Sequence, residues 1–113
     1  MPHYANVSLY SREENDLWNK LIDNQGKQYY TMKKLSFEYS IKGNEMFVSR
    51  KGKSITRATV NRAYHKAKEL MKSEGQVTGA KKLGTFGASY LYPIFVELGI
   101  IELTNSTQQK LIM

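Results

Sequence analysis

The residues best placed to do chemistry are Gly52-Lys53-Ser54, which end a phosphate-binding loop and run straight into the helix-prone "ITRATVNRAY". Such a loop needs an earlier glycine, five positions before Gly52, so that its backbone N–H groups can curl around phosphate oxygens. That position is Phe47. The preceding "EMFVSR" ends in charge, where a buried strand is needed, so the triplet reads as a turn feeding a helix. Metal and nucleophile chemistry have as little to work with. His3 and His65 are the only histidines, the chain has no cysteine, and both aspartates fall on the first predicted helix. No metal-ligand spacing or nucleophile–base–orienter set can be drawn from these. The expectation is a protein without cofactor and without catalysis.

What stands out is where the charge lies. The net charge is +7, yet residues 1–49 hold six Lys/Arg and six Asp/Glu, while residues 50–83 hold ten Lys/Arg and two Glu. Residues 84–113 add one Lys and two Glu. A charge excess confined to about a third of the chain suits a polyanionic partner better than it suits general solubility. The hydrophobic share of 41% and the thirteen aromatics fit one ordinary globular domain over 1–113. The N-terminus lacks a secretory pattern, and no run reaches the roughly 18 apolar residues of a membrane span. With no cysteine, a cytoplasmic setting without membrane contact is expected.

The elements that must carry these charges can be read locally. Ser11-Arg12-Glu13-Glu14 is a capping box, and Leu17, Trp18, Leu21 and Ile22 give the helix after it an apolar stripe. Its first-turn acids Glu13, Glu14 and Asp16 suit the helix dipole. Alternation through "LSFEYSI", the Gly43-Asn44 turn and "EMFVSR" predict a β-hairpin over 35–50. Thr56 is the expected N-cap of a second helix, with Ile55 and Val60 as a hydrophobic staple and Gly75 as its C-terminal stop. "QVTGAKKLGTF" suggests two short strands around a basic tip. A third helix is expected from Phe86 or Ser89 to Leu98, kinked at Pro93. "IIEL" suggests a last strand, and 104–113 a frayed tail. The fold class is α+β, a small domain of three helices and short β-hairpins.

On this frame the second helix turns Arg62, His65, Lys66, Glu69 and Lys72 away from its apolar face, with Asn61 and Lys68 on the flanks. An exposed basic helix can enter a major groove, Arg pairing with guanine and Asn with adenine. Residues 54–86 also resemble the recognition helix and wing of the GntR-type winged helix-turn-helix. The matching parts are Ile55-Thr56-Arg57-Ala58-Thr59-Val60, Glu74-Gly75 and Gly84-Thr85-Phe86. The resemblance implies a winged-helix-like fold in which Arg57, Thr59, Asn61 and Arg62 face DNA and Lys81 and Lys82 meet phosphates. Upstream the chain departs from that pattern, because the hairpin occupies the place of the family's supporting helix. The expected nucleic-acid contacts are Arg50, Lys51, Lys53, Arg57, Thr59, Asn61, Arg62, His65, Lys66, Lys68, Lys72, Lys81 and Lys82. The expected role is a small DNA-binding regulator of transcription or of a mobile element, bound to duplex DNA. Two rival readings are an RNA- or single-strand-binding module stacking bases on Tyr29, Tyr30, Phe37 and Tyr39, and a protein-interaction or inhibitor domain. A homodimer through the apolar C-terminal helix is a further expectation.

Overall fold

The computed structural model describes residues 9–50 and 52–102. Helix α1 (Arg12–Asp23) starts at the capping box read from the sequence: Ser11 Oγ accepts from the Glu14 N–H at 3.0 Å, and Glu14 Oε1 accepts from the Ser11 N–H at 3.0 Å. It buries Leu17, Trp18 and Leu21, while Ile22 at the edge of the stripe is exposed.

Two short strands, β1 (Tyr29–Tyr30) and β2 (Ser36–Phe37), pair antiparallel as a small sheet of their own. The hairpin expected over 35–50 is narrower and is made by β3 (Tyr39–Lys42) and β4 (Glu45–Val48) around the Gly43-Asn44 turn. Gly43 takes φ +60°, which a two-residue turn of this kind requires. The alternation is real: Tyr39, Met46 and Val48 face the core, and Ser40 and Phe47 pair on the outer side. The tyrosine hydroxyl of Tyr39 is buried and donates to the Leu21 carbonyl at 2.6 Å, tying the sheet to the end of α1.

A third strand, β5 (Ile55–Thr56), completes this sheet through Met46 opposite Ile55. Sequence alone treated that stretch as a turn and a cap; it is also a strand because Ile55 is fully buried against the hairpin. Helix α2 (Arg57–Glu74) follows with no connecting residue, since Thr56 is both strand end and N-cap. Its hydroxyl accepts from the Thr59 N–H at 3.2 Å, and Gly75 closes the helix at φ +79°.

The expected strands around the basic tip do not form. Residues Ala80–Leu83 are a turn of 3-10 helix, pinned by Leu83 in the core and packed on α2 and on α3 (Ala88–Glu97). Lys81 and Lys82 ride on its outside. Helix α3 places Leu91, Ile94 and Phe95 in the core, each side chain worth about 1.5–3 kcal/mol on burial, and holds Pro93 within it. Phe86 is not part of α3 but lies before it, exposed. Ile100 and Ile101 form no strand, and the tail at 104–113, like Lys51, lies outside the described residues. The architecture is α+β, three helices with a two-stranded and a three-stranded antiparallel sheet. Helix α2 is entered from a strand, where a helix-turn-helix would place another helix.

Candidate nucleic-acid interface

Helix α2 has three sides, and its basic residues are divided between two of them. Val60, Ala63, Ala67 and Leu70 make the core side. A second side lies against α1. There the Tyr64 hydroxyl donates to Glu13 Oε2 at 2.5 Å, the Lys68 ammonium bonds to the same carboxylate, and His65 Nε2 sits 2.5 Å from Glu14 Oε2. The first-turn acids of α1 therefore do more than offset its dipole. They bond to His65 and Lys68, two of the expected nucleic-acid contacts, which nonetheless remain exposed.

Arg57 is committed to the same junction. Its guanidinium carbon lies 3.8 Å from the Tyr10 ring centre and 5.2 Å from that of Trp18. Nη2 donates to Asn15 Oδ1 at 2.7 Å, Nη1 donates to Asn44 Oδ1 at 3.3 Å, and the Arg57 N–H donates to the Asn44 carbonyl at 2.8 Å. The expectation that Arg57 reaches a base is corrected: it joins α1, the hairpin tip and the start of α2. Thr59 and Asn61 are corrected as well, at 8% and 6% exposed. Asn61 lies three to seven residues from Arg57, Tyr64, His65 and Lys68, so it shares the flank that bonds to α1. Thr59 Oγ1 faces inward, 3.0 Å from Thr56 Oγ1 and accepting from Arg62 Nη2 at 3.2 Å.

The third side of α2 is open and carries Arg62 and Lys66, with Lys72 also exposed. Lys66 lies 3.7 Å from Glu69 in an exposed pair, which adds little stability. The exposed Lys81 and Lys82 stand on the 3-10 helix beside α2, and Lys53 projects from the loop before β5. Arg50, at the end of the hairpin, is exposed and donates from Nε to the Ser36 carbonyl at 2.5 Å. Among the described residues Lys53, Arg62, Lys72, Lys81 and Lys82 make no ion pair. The structure thus separates two populations that the sequence could not: basic residues bonded to α1, and cations that make no ion pair among the described residues.

The acids of the α1–α2 junction respond to it. The bond from Lys68, and next that from Tyr64, holds the Glu13 carboxyl below its ordinary value of 4.5; His65, and then the Ser11 N–H, do the same for Glu14. Burial, and then Glu13, push the Tyr64 phenol up, so it remains a donor. A carboxylate with a depressed folded-state pKa contributes stability above its unfolded value and loses it as pH falls through the folded one. Acidification below pH 4.5 is therefore expected to loosen α1 from α2 while neutral and mildly alkaline solutions leave them joined. The buried Trp18 reports this as a red-shifted emission, and Glu13→Gln with Glu14→Gln should remove the acid-dependent part of the shift.

Of the four rings considered as a stacking platform for single strands, Tyr29, Phe37 and Tyr39 are buried and pack ring to ring, and Tyr30 is exposed. Among the described residues no cluster of His, Asp and Glu could hold a metal ion, and no helix is long and apolar enough to cross a membrane. No family model matches the chain, and neither a curated protein nor a solved structure matches it.

Proposed function

We propose that this chain is a nucleic-acid-binding protein that grips the phosphate backbone, with duplex DNA as its partner and regulation of transcription or of a mobile element as its cytoplasmic role. The observation that carries the reading is the set of exposed cations Lys53, Arg62, Lys72, Lys81 and Lys82, which make no ion pair among the described residues and come from the loop before β5, from α2 and from the 3-10 helix of one basic segment. With Arg57, Thr59 and Asn61 turned inward, the grip is electrostatic in origin, and Arg62 is the residue of α2 still placed to reach a guanine edge. Such contacts release counterions, so affinity should fall by orders of magnitude between about 50 and 200 mM salt. Fluorescence anisotropy with labelled duplex DNA, single-stranded DNA and duplex RNA over that range tests it. Steeply salt-dependent binding with duplex DNA preferred is the expected result; no binding at low salt would sink the proposal.

A protein partner is the second reading, favoured by the exposed Tyr30, Met32 and Leu35 beside a 430 Å³ cleft between β1 and α3. A homodimer would form there as well, because the apolar residues Leu91, Ile94 and Phe95 of α3 are already in the core.

A further inference from the structure

The cleft between β1 and α3 is walled by three tyrosines and carries a single charge. Tyr29 and Tyr30 follow one another on β1, so strand alternation sends the first ring into the core and the second outward. Tyr29 is accordingly buried and Tyr30 is 56% exposed. Tyr92 comes from α3. The hydroxyls of the two buried tyrosines are spent elsewhere: Tyr29 donates to the Asn24 carbonyl and Tyr92 to the Val77 carbonyl, each at 3.0 Å. What remains for the cleft is ring surface, and Met32 extends the apolar wall.

The charge is Glu97, the last residue of α3. A helix already carries partial negative charge at that end, so an acid there is unfavourable unless a cation answers it. The last turn holds no basic residue, and Glu97 makes no ion pair among the described residues. Its field reaches the floor of the cleft: burial, with the Glu97 charge adding to it, pushes the Tyr29 phenol up. Of the nearest lysines in sequence, Lys27 is turned to Asn24 Oδ1 at 2.6 Å, and Lys33 and Lys34 are exposed in the loop between β1 and β2. No Lys or Arg lines the cleft.

We infer that this cleft binds a small organic cation of the quaternary ammonium class, with its charge between the Tyr30 ring and the Glu97 carboxylate and its methyl groups against Met32 and the buried rings. Tyrosine faces attract such a cation, and its methyl groups suit apolar walls. The volume of 430 Å³ falls within the range of about 300–1,000 Å³ usual for small-molecule sites. Other classes of occupant fit worse. An anion would meet Glu97 with nothing to offset the repulsion. A neutral apolar molecule would take the carboxylate out of water without pairing it. A bare metal ion would find one carboxylate and no cluster of ligands among the described residues. The inference does not rest on the proposed nucleic-acid binding, since none of the cations assigned to that role lines the cleft.

The test titrates the full chain with choline, with its uncharged carbon analogue 3,3-dimethylbutan-1-ol, and with sodium chloride at matched ionic strength, following backbone amide shifts by NMR. Choline should give a saturable shift confined to residues 28–32 and 92–97, with at least about tenfold higher affinity than the alcohol. Tyr30→Leu keeps an apolar side chain but removes the ring, and should weaken choline by about two- to thirtyfold, the range of one cation–π contact. Glu97→Gln should weaken choline and leave the alcohol as it was. Both residues are exposed, so neither change should lower the thermal midpoint. The inference is overturned if choline gives no saturable shift, if the alcohol binds as tightly, or if both variants bind choline as the parent does. Any of these results would leave the nucleic-acid reading standing, and a chain that binds choline but no nucleic acid would reverse the outcome.

Discussion

Arg57→Ala is expected to lower the stability of the folded chain by about 3 kcal/mol, the sum of charge-assisted hydrogen bonds worth roughly 1.5–3 kcal/mol and cation–π contacts worth about 0.5–2 kcal/mol. The loss is large because the guanidinium serves three elements at once. It stacks on Tyr10 and Trp18, donates to Asn15 on α1, and donates to Asn44 at the hairpin tip. Removing it also leaves the Asn15 and Asn44 side-chain oxygens without that donor. For a chain of this size the thermal midpoint should drop by about 10 °C. Arg57→Lys separates charge from shape, because an ammonium cannot hold the two asparagines in the fixed directions of a guanidinium fork. It should recover only a minor part of the loss. Differential scanning calorimetry of the two variants decides the matter: a midpoint within a degree or two of the parent for Arg57→Ala would mean that the residue is free to serve a ligand after all.

The combined change Arg62→Ala, Lys66→Ala, Lys81→Ala and Lys82→Ala should do the reverse, sparing the fold and abolishing the binding. These side chains are exposed, and among the described residues their ion pair is the exposed one between Lys66 and Glu69. Surface substitutions of this kind usually fall within about 0.5 kcal/mol each. Each phosphate contact contributes about 0.9 to the salt slope on B-form DNA, so four lost contacts are worth roughly 10³-fold at about 0.1 M salt. The slope itself should become shallower by about 3 to 4. Lys68→Ala is the control. It removes a charge from the same helix, but one already engaged by Glu13, and should leave the slope nearly as it was. Equal losses from Lys68 and from each residue of the open side would mean that total charge, and not its placement, governs binding.

How much of this was legible in advance follows the range of the interactions. The limits of α1 and α2 were readable because capping is local: Ser11 with Glu14, Thr56 with Thr59, and Gly75 each act within one turn. The hairpin turn at Gly43-Asn44 and the inward Phe37 and Tyr39 of the alternating stretch were readable for the same reason, although Leu35, on the same side of that alternation, is exposed. The division of α2 into a basic side bonded to α1 and one without such bonds was not. Glu13 and Glu14 lie about fifty residues before Tyr64, His65 and Lys68, and nothing in either segment names the other as its partner. The helical wheel correctly put Asn61 and Lys68 on a flank, but only tertiary packing says that α1 occupies it. Phe86 misled for a related reason. Its spacing of four from Tyr90, itself four from Ile94, fits a helix, yet Gly87 at φ +76° sets the chain off the helical path just before α3 begins.

The tie between Arg57 and Asn44 also bears on how long a bound polyanion would remain. A helix's first turn ordinarily offers its backbone N–H groups to an anion in a fixed, directional cradle. In α2 the Arg57 N–H is given to the Asn44 carbonyl and the Thr59 N–H to the Thr56 hydroxyl. Two donors of that end are thus taken by the chain itself, so backbone phosphates would be held chiefly by the ends of mobile lysine side chains, whose grip is screened within about a Debye length. A protein that gripped DNA in this way would settle on it quickly and depart from it quickly. Occupancy would follow local ionic strength and DNA concentration, and the chain would sample many positions before staying at any one of them.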